Sequence, residues 1–166
     1  MSAQWQQAAS ALLPMTVAQL DAVMAIEAAA YAFPWSRGNF IDSLAAGYPA
    51  HVLHGARGEV LGYFVAMEGV DEMHLLNITV APAVQGHGHA RTLIDALIAL
   101  CHRHKARELW LEVRVSNERA RAMYLHLGFA QVGVRKGYYP APSSRREDAV
   151  VMSLQFDAAG ANDALG

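Results

Sequence analysis

Apolar residues recur along this chain with two different periods, and the switches between those periods mark out its elements. Thr16-Val17-Ala18-Gln19 is a capping-box pattern that predicts a helix to about Ala29, with Val17, Leu20, Met24 and Ile26 among its apolar positions. Ser36 caps a second, short helix that carries Phe40 and Leu44 and is stopped by Gly47. Strands follow at about residues 51–54, 60–67 and 73–80, and Gly55-Ala56-Arg57-Gly58 joins the first two as a hairpin. Over 89–104, Leu93, Leu97 and Leu100 with Ile94, Ile98 and Cys101 form one helical stripe. Leu109, Leu111 and Val113 alternate with Trp110, Glu112 and Arg114, the period of a strand over 108–114. Asn117 opens a helix to Leu127, and Gly128 supplies its stop. Strands at about 129–135 and 148–154 flank a loop, Gly137-Tyr138-Tyr139-Pro140-Ala141-Pro142. The order ααβββαβαββ predicts a single α/β domain over 1–166, folded over about 10–155, with a small, polar, frayed tail at 157–166.

Composition narrows the class. At 166 residues with 54% hydrophobic and 17% charged residues, the chain is globular and long enough for a core. No apolar run approaches the ~18 residues that cross a bilayer. The N-terminus lacks the basic flank of a secretory signal, and the lone Cys101 suits a reducing compartment, so the expectation is a cytoplasmic protein with no membrane partner. The net charge of −2 hides an asymmetry: residues 91–146 carry +7, against −5 before them and −4 after. The basic block directly follows a glycine turn, as an anionic ligand favours.

That turn is Val80-Ala81-Pro82-Ala83-Val84-Gln85-Gly86-His87-Gly88-His89-Ala90-Arg91. A strand ends at a proline, passes two glycines and opens into a helix, leaving N–H groups unpaired at a positive helix end. Such a turn is a cradle for phosphate or pyrophosphate. A G-x-x-x-x-G-K-[ST] phosphate loop is excluded, because no lysine follows Gly88. A nicotinamide-dinucleotide fingerprint finds Gly86 and Gly88, but Arg91 stands at its third glycine and obstructs close helix–strand packing.

Gln85-x-x-Gly88-x-Ala90, preceded by Val80-x-Pro82 and followed by Leu93-Ile94, resembles the acyl-CoA signature of the GNAT acetyltransferase superfamily. Trp110-Leu111-Glu112-Val113-Arg114, Ser116-Asn117, Ala122-Met123-Tyr124 and Leu127-Gly128-Phe129 match the second half of that family in order and spacing. Phe33-Pro34-Trp35-Ser36, Leu76-Asn77-Ile78, Tyr138-Tyr139-Pro140 and Arg146-Glu147-Asp148-Ala149 are similar to its bacterial ribosomal-protein-alanine N-acetyltransferase branch, the RimI type. The resemblance covers roughly residues 15–155. It implies a GNAT fold, a mixed, mostly antiparallel twisted sheet flanked by helices, and acetyl-CoA as cosubstrate with no metal.

Acetyl transfer to an amine needs a group that takes the ammonium proton and one that protonates the leaving thiolate. Glu112, which faces away from Leu111 and Val113, and Tyr124 supply such a pair, and the resemblance implies the same roles. Taken alone, Glu112 reads sooner as the polar face of a strand and Tyr124 as a core residue; their joint placement in the larger pattern reverses both readings. The N–H groups of Gln85, Gly86, Gly88, His89 and Ala90 face the pyrophosphate in this reading, with His87 a weak anion contact. Similar enzymes imply strand-like hydrogen bonds from Ile78 and Val80 to the pantetheine arm, and a place for Asn117 beside it; Asn117 is also a plain helix N-cap. RimI-like proteins often carry arginines where this chain has Gly86 and His87, which implies weaker, pH-sensitive CoA binding here.

By analogy with Nα-acetyltransferases, Phe33, Trp35, Tyr138 and Tyr139 wall the acceptor slot. Glu68, Asp71 and Glu72 attract a basic acceptor or form an ordinary solvated turn. The implied acceptor is the N-terminus of a ribosomal protein or similar peptide, without direct nucleic-acid contact, and the protein is expected as a monomer. A lysine or small-amine acetyltransferase and a non-catalytic CoA sensor remain as alternatives.

Overall fold

The computed structural model describes residues 10–157, so the tail expected to fray lies outside the described residues apart from Asp157. Among the described residues seven strands form one sheet in the order β1-β2-β3-β4-β5-β7-β6. They are β1 (Ala11–Pro14), β2 (Ala50–His54), β3 (Val60–Gly69), β4 (Glu72–Val80), β5 (Glu108–Arg114), β6 (Ala130–Ala141) and β7 (Arg145–Gln155). The α-helices are α1 (Leu20–Ala30), α2 (Arg37–Ala45), α3 (His89–Arg103) and α4 (Glu118–His126). β4 pairs with β5 in parallel, the arrangement that a crossover through α3 permits. The pairs β1–β2, β2–β3, β5–β7 and β6–β7 are antiparallel, so the sheet is mixed and mostly antiparallel, as expected. The chain forms two compact units, up to Ala66 with Asn77–Leu97, and Met67–Leu76 with Ile98 onward. β3, β4 and α3 each run from one unit into the other.

In the first unit, α1 buries Leu20, Val23 and Glu27, one face at helical spacing that ends in a carboxylate. The Thr16 N–H donates to Gln19 Oε1 at 2.6 Å, but this turn opens a single 3-10 turn at Val17–Gln19 before α1. Val17 is therefore not a core position: it is 64% exposed. Ser36 caps α2 as expected, accepting from the Asn39 N–H at 3.1 Å. The hairpin between β2 and β3 closes through Gly55 N–H to Glu59 O at 2.8 Å. The hydrophobic pattern does not mark β1, because this four-residue edge strand ends in proline and none of its residues is fully buried. The stripe on α3 is present: Leu93, Ile94, Leu97 and Cys101 are fully buried.

In the second unit, Leu109, Leu111 and Val113 of β5 are buried at period two. Asn117 caps α4 by accepting from the Ala120 N–H at 3.2 Å. The expected loop at 137–142 is instead the end of β6, with the turn at residues 142–144. The ladder shifts register between Arg135 and Tyr139. Side chains from β7 fill the gap, with Asp148 Oδ1 accepting from the Gly137 N–H at 2.8 Å and Arg146 donating to Gly137 O at 2.9 Å and Tyr138 O at 3.1 Å. Glycine suits the distortion, because Gly137 has φ 59°.

Candidate active site

β4 ends at Val80 and the chain enters α3 through the glycine turn. Gly86 and Gly88 have φ of 83° and 81°, a backbone that other L-residues adopt only with strain. A Cβ added to either meets no protein atom within 4 Å, so the space above the turn is open. Among the described residues, the N–H groups of Gly86, His87 and Gly88 donate to no backbone carbonyl. The first N–H groups of α3, from His89 and Ala90, add to this set. The turn therefore fits a bound pyrophosphate: open volume, donor N–H groups and a helix N-terminus. Gln85 folds back, its Nε2 3.4 Å from Val80 O. The ladder with β5 takes up only Glu72–Leu75 of β4, leaving Ile78 and Val80 outside it.

A carboxylate that the pattern did not single out organises the first unit. Glu27, only 1% exposed, accepts from the Tyr63 hydroxyl at 2.6 Å, Asn77 Nδ2 at 3.1 Å and the Trp35 N–H at 2.9 Å. The last bond ties down the Phe33-Pro34-Trp35 loop, and the Trp35 ring rests 5.1 Å from Phe40. Phe33 is exposed. The Tyr31 hydroxyl contacts Thr79 Oγ1 at 2.7 Å, and burial pushes its phenol above the ordinary tyrosine range. Only its place on the buried face of α1 marks Glu27, a signal visible once the helix boundaries are known.

The second unit builds a compact cluster around Glu112, whose side chain is 5% exposed. Oε2 lies 2.6 Å from His74 Nε2. Oε1 is buried with no hydrogen-bond partner among the described residues, while Arg135 stands 3.4 Å away without hydrogen-bond alignment. The His74 ring stacks on Trp110 at 3.6 Å with planes 10° apart. Arg135 also reaches the Trp110 and Tyr138 rings, at 5.7 and 5.5 Å from their centres. Burial and the Glu112 carboxylate push the Tyr138 phenol up, and Arg135 opposes them. Tyr138 and Tyr139 meet edge to face at 4.9 Å, and the Arg114 guanidinium lies 4.5 Å from the Tyr139 ring centre.

The remaining expected residues fall as follows. Tyr124 on α4 is 5% exposed and packs 5.3 Å from Phe129, so much of it is core. Asn117 serves as the cap of α4. Glu68 pairs with His104 Nδ1 at 2.9 Å, and Asp71 O accepts the Arg107 N–H at 2.7 Å, which favours an ordinary structured turn there. Among the described residues no group of histidine, cysteine and acidic side chains is arranged to hold a metal. No helix among them is long and apolar enough to cross a membrane.

Residues 20–129 match the Acetyltransferase (GNAT) family. The chain is similar to the [ribosomal protein bS18]-alanine N-acetyltransferase of Haemophilus ducreyi, 38% identical over 78% of this chain and 88% of that protein. It is similar to the protein of the same name from Escherichia coli, 38% identical over 81% of this chain and 90% of that one. The crystal structure of the ribosomal-protein-S18-alanine N-acetyltransferase from Escherichia coli superimposes with a TM-score of 0.84 at 35% identity, covering 93% of this chain and 98% of that one.

Proposed function

The chain belongs to the GNAT family of acetyltransferases, and from that premise we propose that it moves acetyl from acetyl-CoA to the N-terminal α-amino group of a protein. The acceptor is the N-terminal alanine of a small-subunit ribosomal protein, bS18 first. The observation that carries this reading is 38% identity across 90% of a relative named for that reaction. Acetyl-CoA supplies the activated acetyl group as a thioester.

A protein α-amino group has a pKa of about 8 and is mostly protonated at pH 7. Glu112 Oε1 takes that proton, directly or through one water, so that the free amine attacks in a ternary complex. Its support is a buried carboxylate oxygen with no hydrogen-bond partner among the described residues. The N–C bond forms as the C–S bond breaks, the Tyr124 hydroxyl gives its proton to the departing sulfur, and the second proton of the nitrogen is lost through water and restores the phenol. The N–H groups of Gln85, Gly86, Gly88, His89 and Ala90, with His87, hold the pyrophosphate. Ile78 and Val80 offer main-chain groups to the pantetheine arm, and Asn117 lies beside it. Phe33, Trp35, Tyr138 and Tyr139 wall the acceptor.

Mass spectrometry of an Ala-starting bS18 peptide incubated with acetyl-CoA tests the reading. A single acetyl on the free peptide and none on an N-terminally blocked one is the expected result. Acetylation of the blocked peptide overturns it and points to lysine as the acceptor.

A further inference from the structure

We propose that His74 positions Glu112, holding one carboxylate oxygen so that the other works as the base. The inference rests on the reading of Glu112 just given. Side chains two apart on a strand share a face, so Trp110 and Glu112 project from the same side of β5. In the β4–β5 ladder His74 sits opposite Trp110, one such step from Glu112. The imidazole therefore lies flat on the indole while its Nε2 reaches Glu112 Oε2 at 2.6 Å. Both side chains are largely withdrawn from water, at 11% and 5% exposure, which strengthens the bond and removes competing partners.

Stacking fixes the ring, the ring fixes Oε2, and Oε1, which has no hydrogen-bond partner among the described residues and lies 3.4 Å from Arg135, is held in a defined direction. His74 thus aims the oxygen that receives the amine proton. The charged and titratable groups facing the pair are the Arg135 guanidinium and the Tyr138 phenol, both from β6.

The test is kcat and the KM for acetyl-CoA of three variants of the full chain, each confirmed folded by thermal melting. His74→Phe keeps a ring on Trp110 and removes the donor. It is expected to lower kcat by about tenfold, with KM for acetyl-CoA changed by less than about twofold, as a misaimed base requires. His74→Gln keeps a donor near the Nε2 position. It is expected to restore kcat to within about threefold of wild type. Wild-type turnover by His74→Phe, or an equal loss in both variants, overturns the proposal. Glu112→Gln separates the two layers. If it turns over normally, the assignment of Glu112 as base is wrong; if it is inactive while His74→Phe is unimpaired, only the role of His74 fails.

Discussion

Replacing Glu27 with alanine should destabilise the protein far more than an ordinary helix substitution, and the size of the effect follows from its three donors. The carboxylate is 1% exposed and accepts from Tyr63, Asn77 and the Trp35 N–H. Truncation leaves these donors buried without their acceptor, at about 1–3 kcal/mol each. Water entering the vacated volume satisfies some of them, which favours the lower end. Broken buried polar networks cost about 3–5 kcal/mol, so about 3–4 kcal/mol is expected here. For a chain of this size that lowers Tm by about 10 °C. Glu27→Gln keeps an acceptor for Tyr63 and Asn77 but turns an amide N–H₂ toward the Trp35 N–H, so about half the loss is expected. Urea unfolding followed by circular dichroism, with the m-value unchanged, gives the number. A loss below about 1 kcal/mol for Glu27→Ala would refute the argument, because the donors would then be reaching water or one another.

Burial pushes the Cys101 thiol from 9.0 to about 11. A group whose folded pKa is raised leaves stability intact below its unfolded pKa, so this contribution falls only between pH 9.0 and about 11. A thiol reagent at pH 8 should leave the native protein unmodified and titrate one thiol in urea; fast native labelling contradicts the burial. Gly88→Ala and Gly58→Ala make a matched pair, since both glycines have positive φ (81° and 78°) and both would place a Cβ in open space. Each should cost about 1 kcal/mol of stability. Only Gly88→Ala should weaken CoA binding, by about tenfold or more in calorimetry, because its Cβ occupies the cradle. Equal CoA affinity in the two variants counts against the cradle.

What could be read from the chain, and what could not, divides along a physical line. The stripe on α3, the cap at Ser36, the hairpin at Gly55–Gly58 and the alternation that turns Glu112 away from Leu111 depend on neighbours a few residues apart. The Tyr138–Pro140 segment carries a loop pattern because Gly137 and Pro140 break the strand alternation locally. What rebuilds the strand is Asp148 and Arg146 of β7, whose positions depend on register. His74 was invisible for the same reason, more strongly. Its partners belong to β5, which is parallel to β4 and reached through α3, so no tight turn counts off the pairing. A one-residue slip between the two strands would set His74 opposite Leu109 or Leu111 rather than Trp110.

Glu27 and His74 nevertheless share a local signature. Each is a titratable residue at a buried position: Glu27 follows Leu20 and Val23 on the inner face of α1, and His74 lies between buried Met73 and Leu75. Burial without partners would cost either side chain several kcal/mol, so its presence there implies that tertiary structure supplies those partners. For Glu27 the partners are three donors that between them engage both carboxylate oxygens. For His74 the partner is a carboxylate whose other oxygen has no hydrogen-bond partner among the described residues and lies 3.4 Å from Arg135. Two similar breaches of the hydrophobic pattern thus carry different meanings. The difference is whether the network closes: a closed one holds the fold, and an open one offers a proton acceptor.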